Sequence, residues 1–451
     1  MELNNIKQVY LVGIGGIGMS GLARYFHKRG CEVIGYDRTQ TTLTDALEAE
    51  GIAITFTDSA SEIPEDFRVM SDSLLVIYTP AIPKDSAILN YFQENGFELK
   101  KRSEVLGIIS KGMYTVAVAG THGKTTTSTI VAHILKHSGS DCTAFLGGIA
   151  SNYNSNVLFG NNNVMVVEAD EYDRSFLRLH PDIAIITSMD ADHLDIYGDD
   201  SHVKESFRLF ASQLKDGGKL IHKKGLQLEG GTTYSASESA QVSAKNVRIE
   251  SGTFFFDFEN ESERIENIEF GLPGLHNVEN ATAAIQASLL LGVEAEKIKA
   301  ALKDFRGVKR RFEYVVKNEK HIFIDDYAHH PEELRACISG VRSLYPDKKL
   351  TVVFQPHLFS RTRDFVEGFA EALNTADELV LLDIYPAREL PIEGVTSQII
   401  SDRMSLENRQ ICGKDMVPDL VRNRKPELLL TVGAGDIDTL VLPIKEILEN
   451  A

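Results

Sequence analysis

One stretch of eight residues, Gly120-Thr-His-Gly-Lys-Thr-Thr-Thr127, joins two apolar runs of different periodicity. Tyr114–Ala119 is β-branched and apolar and predicts a strand, whereas Ser128–Lys136 has apolar residues at helical spacing. A glycine-rich turn from a strand into a helix points backbone N–H groups at an anion, and Lys124 adds a positive charge. The stretch therefore predicts a site for nucleotide phosphate, with the Thr125 hydroxyl in reach of Mg²⁺.

The strict P-loop pattern has a glycine where Val118 stands, so this turn is a shortened variant, Gly-x-x-Gly-Lys-Thr. A plain turn without a ligand is the alternative, which the strand before it and the helix after it disfavour. The residues expected to hold the phosphate are Gly120, Thr121, His122, Gly123, Lys124, Thr125 and Thr126.

Composition excludes several classes of partner. The chain has 451 residues, enough for two to four domains, and its net charge of −18 argues against nucleic acid and anionic membranes. Its four cysteines are scattered without a C-x-x-C pair, as is typical of reduced thiols. No apolar run is long enough to cross a bilayer and no leader pattern is evident, so a cytoplasmic protein is expected.

Strand and helix patterns alternate through three successive segments, 1–110, 111–310 and 311–451. The expected fold class is α/β, with a Rossmann-like N-terminal domain, a central mononucleotide-binding domain with extra β-strands, and a Rossmann-like C-terminal domain. Because ligands of open α/β sheets bind beyond the carboxyl ends of the strands, the loops there are the expected site walls. Strands are predicted at Gln8–Val12, Cys31–Tyr36, Leu74–Tyr78, Tyr114–Ala119, Val164–Val167, Ile183–Thr187, His321–Ile324, Leu350–Phe354, Glu378–Leu382 and Leu428–Val432.

A second glycine motif, Gly13-x-Gly15-x-x-Gly18, follows the first predicted strand and opens a helix, with Asp37 at the end of the next strand. Alone, this fingerprint indicates a nicotinamide-dependent oxidoreductase. Its physical content is only the close approach of backbone to a diphosphate, which a nucleotide-sugar diphosphate shares. A simple dehydrogenase has no use for a second phosphate loop, so two phosphorylated ligands are expected.

Three candidate metal contacts follow strands of the central segment. Thr125, Glu168 and His193 would lie at one edge of a parallel sheet, where they could hold Mg²⁺. His193 could equally be structural. The pair His329-His330 could suggest zinc, but no third ligand lies at a familiar spacing. Arg361 and Arg363, in a loop with His357, favour binding of an anion.

The chain resembles the Mur ligase family over essentially its whole length. The matching motifs are Gly13–Ser20, Gly120–Thr127, Glu168–Asp173, Asp192–Asp195, Gly274–Asn277, Gly307–Glu313, Asp325–Pro331, Phe354–His357 and Ser360–Arg363. The resemblance implies that 1–110 binds a UDP-sugar, 111–310 binds ATP and Mg²⁺, and 311–451 binds an amino acid. The implied substrates are UDP-N-acetylmuramate and L-alanine, joined through an acyl phosphate.

The resemblance also implies roles for individual residues. Those at the UDP-sugar are Gly15, Gly16, Ile17, Gly18, Asp37, Thr79 and Arg102. Those at the adenine, ribose or phosphates of ATP are His276, Asn277, Arg306, Arg310 and Asp326. Those at the amino acid and the intermediate are Tyr327, His329, His357, Arg361 and Arg363. The residues expected to carry the chemistry are Lys124, His193, His329, Arg361 and Arg363.

Sibling ligases use a carbamylated lysine near the metal, but Phe207 stands at that place here, so carbamylation is not expected. Alternative functions are a recycling ligase that adds a preformed tripeptide, a nicotinamide-dependent oxidoreductase and a non-catalytic nucleotide-binding regulator. The loop that contains Arg361 and the ending Gly433–Asp436 favour the alanine reaction over tripeptide addition. The sequence leaves the oligomeric state undetermined.

Overall fold

The computed structural model describes residues 3–190, 200–250, 253–387 and 389–450. The chain forms two compact units. The first consists of Met1–Gly271 with Leu275–Arg306, and the second of Leu272–Gly274 with Gly307–Ala451. The first unit contains two sheets and the second contains one.

The first sheet is fully parallel and has the order β3-β2-β1-β4-β5. Neighbouring strands β1 and β4 mark the point where the strand order reverses, which is where open α/β sheets bind ligands. The strands are β1 Gln8–Val12, β2 Glu32–Tyr36, β3 Ala53–Thr55, β4 Leu74–Tyr78 and β5 Leu99–Lys101. The helices are Ile17–Lys28, Thr42–Ala49, Ala87–Glu94 and Arg102–Gly112, with short 3₁₀ turns at Leu3–Asn5, Ala60–Glu62 and Glu65–Arg68.

The second sheet has ten strands in the order β15-β14-β13-β12-β11-β10-β6-β9-β7-β8. Its centre is parallel, and antiparallel strands extend both edges. The strands are β6 Tyr114–Ala119, β7 Thr143–Ala150, β8 Ser155–Leu158, β9 Val164–Glu168, β10 Ile183–Ile186, β11 Lys219–Lys223, β12 Thr232–Ser235, β13 Val242–Glu250, β14 Thr253–Glu259 and β15 Arg264–Phe270. The helices are Lys124–Ser138, Asp200–Ala211, Leu275–Leu290 and Ala295–Asp304, with a 3₁₀ turn at Tyr172–Arg178.

The third sheet has the order β16-β17-β21-β18-β19-β20 and is parallel except for the β16–β17 pair. The strands are β16 Glu313–Lys317, β17 Ile322–Asp326, β18 Leu350–Phe354, β19 Glu378–Leu381, β20 Arg409–Ile411 and β21 Leu428–Val432. The helices are Pro331–Leu344, Phe359–Asp364, Val366–Leu373, Gln398–Ser401, Val417–Arg424 and Val441–Glu449, with 3₁₀ turns at Lys414–Met416 and Asp436–Leu440.

Burial explains why the strands read as continuous apolar runs. Every residue of Leu350–Phe354 and of Leu428–Val432 is buried, as expected for parallel strands covered on both faces. The α/β class with a Rossmann-like first domain, a central domain with extra strands and an α/β third domain is confirmed. The antiparallel pair β7–β8 was not among the predicted elements. Within the described residues, no helix is long and apolar enough to span a bilayer.

The helix after the phosphate loop is tied to its surroundings by a buried histidine. His133 Nε2 lies 2.9 Å from the Ala301 carbonyl oxygen, and Nδ1 lies 3.0 Å from the Tyr153 hydroxyl. The His133 residue is only 1% exposed. Burial lowers the pKa of His133 to about 4, so this imidazole is neutral at physiological pH.

We expect this histidine to make stability depend on pH. A depressed folded-state pKa contributes stability that is complete above the unfolded value near 6.5 and is lost as the pH falls toward about 4. Because of this group, the free energy of unfolding should fall by about 2 kcal/mol between pH 7 and pH 5. Thermal unfolding of the wild type and of His133→Gln at both pH values measures this. Equal losses in the two proteins would contradict it.

Candidate active site

Two glycines give the phosphate loop a shape that other residues cannot adopt. Gly120 has φ +140°, and an added Cβ would lie 2.1 Å from the Thr187 hydroxyl oxygen. Gly123 has φ +83°, and its added Cβ would lie 2.7 Å from the Asn280 side-chain oxygen. The backbone therefore runs against β10 on one side and against the helix Leu275–Leu290 on the other. Such a loop fits a phosphate, which needs close approach to backbone N–H groups.

Side chains that follow β10 hold this loop in place. The Thr121 hydroxyl lies 2.8 Å from the Ser188 hydroxyl, and the His122 amide donates to the same Ser188 oxygen over 2.7 Å. The Thr187 hydroxyl donates to the His122 carbonyl. Strands β6 and β10 are parallel neighbours, so their carboxyl ends bring these residues together. These bonds between protein groups hold the loop in its shape.

Lys124 is the charged centre of the loop. Its ammonium donates to the Gly120 carbonyl over 2.6 Å and lies 2.7 Å from a Glu171 carboxylate oxygen. The two side chains are 12% and 2% exposed. Burial lowers the pKa of Lys124, but the carboxylates of Glu171 and Glu168 outweigh it and raise the pKa above its ordinary value. Lys124 is therefore a cation at neutral pH.

The carboxylate predicted to hold Mg²⁺ lies at the end of the neighbouring strand. Glu168 ends β9, whose partner across the ladder is Val118 of β6, and it accepts the Gly147 amide over 3.0 Å. Thr125 is buried in the first turn of the helix after the loop. His193 lies outside the described residues. The oxygen donors of Thr125 and Glu168 fit Mg²⁺, which takes few protein ligands beside phosphate and water.

No cluster of three or more His, Cys, Asp or Glu side chains suited to a metal occurs in the part of the chain that the structure describes. Phe207 is buried and packs edge-on against Phe176, with ring centroids 5.2 Å apart. The place where siblings carry a carbamylated lysine is thus occupied by a core aromatic.

The first glycine motif forms a turn at the β1–β4 switch point. The Gly15 amide donates to the Asp37 carboxylate over 2.8 Å, and Thr79 packs on Gly13, whose added Cβ would lie 2.5 Å from the Thr79 methyl. Gly16 stays open, since its added Cβ would meet only ordinary contacts at 3.7 Å and beyond. Asp37 stands where dinucleotide-binding folds have an acidic residue that binds the ribose, but here its carboxylate accepts the Gly15 amide of the turn.

Arg102 lies on the last glycine of this turn, where the helix beginning at Ile17 starts its first turn. A Cβ added to Gly18 would lie 2.0 Å from an Arg102 guanidinium nitrogen. Arg102 also donates to the Asp170 carboxylate over 3.1 Å. Asp170 precedes Glu171, the partner of Lys124, so one acidic strand end pairs with Lys124 of the second turn and with Arg102, which lies against the first.

The residues expected near the adenine are partly dispersed. Asn277 is buried in the first turn of its helix, beside Asn280, and His276 is exposed next to it. Arg306 is exposed, with 72% of its side chain accessible, and it contributes a backbone amide to the Asn152 side chain over 2.8 Å. The sequence singled out Asn277 but missed Asn280, which borders the phosphate loop.

In the second unit, four predicted residues meet where β17 and β18 end. The ring of His329 packs on Tyr327 and on His357, with centroid distances of 5.3 and 5.9 Å. Arg361 is close enough to lower the pKa of His329, an effect that adds to burial. Tyr385, which the sequence did not indicate, stacks on His357 at 5.8 Å. The cluster offers one cation and two imidazoles to an anionic, amine-bearing ligand.

The state of His329 is set by its surroundings. Its Nδ1 lies 3.0 Å from the Tyr327 carbonyl oxygen. Because a carbonyl oxygen can only accept a hydrogen bond, Nδ1 carries the proton of the neutral ring and Nε2 is left as an acceptor. Burial lowers the pKa of His329, the Glu333 carboxylate opposes this, and Arg361 and Arg311 reinforce it. The net shift is downward, so the imidazole is neutral at pH 7.

The adjacent residues Arg310 and Arg311 have different contacts. Arg310, at φ +60°, donates to the buried Asp325 over 3.2 Å and to the Gly433 carbonyl, and it lies over the Tyr327 ring at 5.1 Å. This guanidinium is bound to its own unit. Its neighbour Arg311 also lies over the Tyr327 ring, at 5.3 Å, and is close enough to contribute to the lowered pKa of His329.

Two further predicted residues have structural contacts. The carboxylate of Asp326 accepts the amides of Phe312 and Ala328, both over 2.7 Å. Arg363 points outward with 54% of its side chain accessible and pairs with Asp364 over 2.8 Å, so it does not join the cluster around His357. The sequence singled out Arg310 and not its neighbour Arg311, because spacing alone does not say which of the two guanidinium groups lies near His329.

These observations define a class: an α/β protein with two glycine-rich strand-to-helix turns in one unit and a cluster of histidine, tyrosine and arginine side chains in the other. Three family models match consecutive parts of the chain. They are described as Mur ligase family, catalytic domain, over residues 8–114, Mur ligase middle domain over 118–288, and Mur ligase, glutamate ligase domain, over 310–435. The chain belongs to the Mur ligase family, and this membership implies use of ATP.

Individual relatives agree with this over the full length. The UDP-N-acetylmuramate–L-alanine ligase of Flavobacterium psychrophilum is 51% identical over 450 residues, covering 100% of both chains. The protein of the same name from Parabacteroides distasonis is 48% identical over 456 residues, covering 99% of this chain and 98% of the relative. A UDP-N-acetylmuramate–alanine ligase from Thermotoga maritima has a TM-score of 0.84 at 29% identity, covering 98% of each chain. A murein peptide ligase from Psychrobacter arcticus, at 22% identity, a TM-score of 0.71 and 99% coverage of each chain, shows the shared fold.

The shape of the phosphate loop gives a test. Gly120→Ala should lower thermal stability and abolish nucleotide binding, because a methyl group there meets the Thr187 hydroxyl and the Ser188 amide at 2.1 and 2.8 Å. Gly112→Ala is the matched control, since its added Cβ meets nothing within 4 Å. Melting curves with and without ATP measure both effects. ATP-dependent stabilisation of Gly120→Ala equal to that of the control would contradict the expectation.

Proposed function

We propose that this protein joins L-alanine to the lactyl carboxylate of UDP-N-acetylmuramate in peptidoglycan precursor synthesis, with hydrolysis of ATP to ADP and phosphate. The observation that carries the proposal is the full-length similarity, at about half of all positions, to ligases named for that reaction. The phosphate loop and the histidine–arginine cluster are proposed to supply the binding functions that the reaction needs. The proposed location is the cytoplasm, where ATP and UDP-sugars are available.

The phosphate loop is proposed to bind the ATP phosphates. Backbone amides of Gly120–Thr126 would hold them at the N-terminus of the helix, and Lys124 would neutralise negative charge on the transferred group. Thr125 and Glu168 are the proposed protein contacts of Mg²⁺, with His193 as a third. When bound, the ion supplies further positive charge against the phosphates.

The chemistry has two steps. A lactyl carboxylate oxygen attacks the γ-phosphorus, the bond to the ADP oxygen breaks, and an acyl phosphate forms. The alanine amine then attacks the acyl carbon, and inorganic phosphate leaves. The proton that the ammonium must lose is proposed to pass to Nε2 of His329, which is neutral and unprotonated at pH 7.

Binding roles follow from the positions of the side chains. The turn at Gly15–Gly18 with Asp37, Thr79 and Arg102 is the proposed UDP-sugar site. His276, Asn277, Arg306 and Asp326 are the proposed contacts of the nucleotide. Because Arg310 is bonded to Asp325 and Gly433, we assign it to support of the loop and propose Arg311 as the neighbouring contact. Tyr327, His357 and Arg361 are proposed for the amino acid, with exposed Arg363 as an outer contact.

The comparisons favour this function over the alternatives. A nicotinamide-dependent oxidoreductase or a regulator is excluded as the main function by membership in the Mur ligase family. Transfer of a preformed tripeptide is disfavoured, since the close full-length relatives are named for alanine. Phosphate release with UDP-N-acetylmuramate and, in turn, L-alanine, glycine, L-serine, D-glutamate and the tripeptide tests the proposal. Best turnover with the tripeptide would overturn it.

Removing the lysine charge should abolish turnover. Lys124→Ala leaves developing phosphate charge unopposed, which can cost about 3 kcal/mol or more in the barrier. Lys28→Ala, at an exposed helix end, is the charge-matched control. Phosphate release at saturating ATP is the measurement, and turnover of Lys124→Ala within about twofold of that control would contradict the role.

The lowered pKa of His329 predicts a pH profile. A depressed pKa keeps the imidazole neutral until the pH falls below the ordinary value near 6.5, so turnover at saturating substrates should decline only below that pH. His329→Asn should lose this acidic limb and about 100-fold in turnover, which is typical when proton transfer is removed. Steady-state turnover from about pH 5 to 9 measures both. If turnover of His329→Asn declined at acidic pH as it does in the wild type, the decline would have to come from another group.

A further inference from the structure

The turn that carries His357 and Arg361 has a strained backbone. Leu358, which lies between them at the start of the helix Phe359–Asp364, has φ +70° and ψ 135°. A non-glycine residue at positive φ is disfavoured by contact of its Cβ with the backbone. Such a conformation persists only when surrounding bonds hold it.

Those bonds come from the loop that follows β19. The Tyr385 amide donates to the Pro356 carbonyl over 2.8 Å, and the Leu358 amide donates to the Tyr385 carbonyl over 2.9 Å. The His357 and Tyr385 rings are nearly parallel, at an interplanar angle of 18°. The two segments thus pair like a short piece of parallel sheet.

Glu389, further along the same loop, caps the helix. Its carboxylate accepts the Ser360 amide over 2.9 Å and also accepts the Ser360 hydroxyl. The first N–H groups of a helix have no partner within it and need one from outside. The side chain of Leu358, at the cap position, provides none, so Glu389 supplies the cap from a distant part of the sequence.

We propose that Glu389 is a positioning residue for the amino-acid site, holding the strained turn at Leu358 so that His357 and Arg361 face the acceptor amino acid. This rests on the proposed function of those two side chains. Both carboxylate oxygens of Glu389 already accept from Ser360, so we assign it a positioning role rather than a direct contact with the acceptor. Although burial raises the pKa of Glu389, the hydrogen bonds from Ser360 and the Phe359 amide lower it overall, so the cap is charged.

The test compares Glu389→Ala with Glu393→Ala, an exposed carboxylate in the same loop. Glu389→Ala should raise the KM for L-alanine about tenfold or more, with the KM values for ATP and UDP-N-acetylmuramate within about twofold of wild type. Glu389→Gln, which keeps an acceptor oxygen, should recover part of the loss. Glu393→Ala should match the wild type.

Glycine at the strained position provides a second arm. Because glycine adopts positive φ without a Cβ penalty, Leu358→Gly should lower the KM for L-alanine in the Glu389→Ala background. Leu358→Ala, which removes the side chain but keeps a Cβ, should not. Equal effects of the two substitutions would overturn the role of strain, and with it the proposed mechanism of positioning.

A readout independent of activity separates this inference from the proposed function. In hydrogen–deuterium exchange, Glu389→Ala should speed exchange at 357–364 and leave 120–130 unchanged. Unchanged exchange at 357–364, an unchanged KM for L-alanine, or an equal rise in every KM would overturn the inference. A wild type that ignores L-alanine would overturn the proposed function instead, and exchange alone would then decide whether Glu389 holds the turn.

Discussion

The contact between Gly120 and the end of β10 is the constraint on which the first unit depends. The backbone of the phosphate loop passes so close to Thr187 that no side chain fits between them. This approach lets Ser188 bind the loop and lets the helix behind it begin at Lys124. A phosphate needs converging N–H groups rather than a particular side chain, so the packing of two adjacent parallel strands creates the site.

The cations near the two glycine-rich turns are paired with carboxylates from one short segment. Lys124 is buried, which alone would favour its neutral form, and Glu171 keeps it a cation. Arg102, against the first glycine turn, pairs with Asp170 at the same strand end. The attraction of the nearby carboxylates opposes the effect of burial, so the Lys124 ammonium stays charged beside the loop. The short acidic run after β9 therefore pairs with a cation near each of the two glycine-rich turns.

Much of the architecture was predictable because periodicity reports burial. Strands such as Leu350–Phe354 were located to the residue, since parallel strands covered on both faces are continuous apolar runs. The pair β7–β8 was missed because its glycines and polar residues break that pattern. The loop after β19 contains no helix or strand in its described part up to Ser397, and it was expected to form a polar wall of the site. Nothing in its sequence singled out Tyr385 or Glu389.

By itself, the sequence determined the fold class and the positions of the two glycine-rich turns, because glycine spacing and apolar periodicity are local properties of the chain. Only the tertiary structure decided between neighbours. Arg310 donates to Asp325, whereas Arg311 lies over Tyr327 and acts on His329. Arg361 likewise approaches His329, whereas Arg363 is exposed. Which of two like residues serves the site depends on partners far away in sequence, and those are fixed only when the sheets assemble.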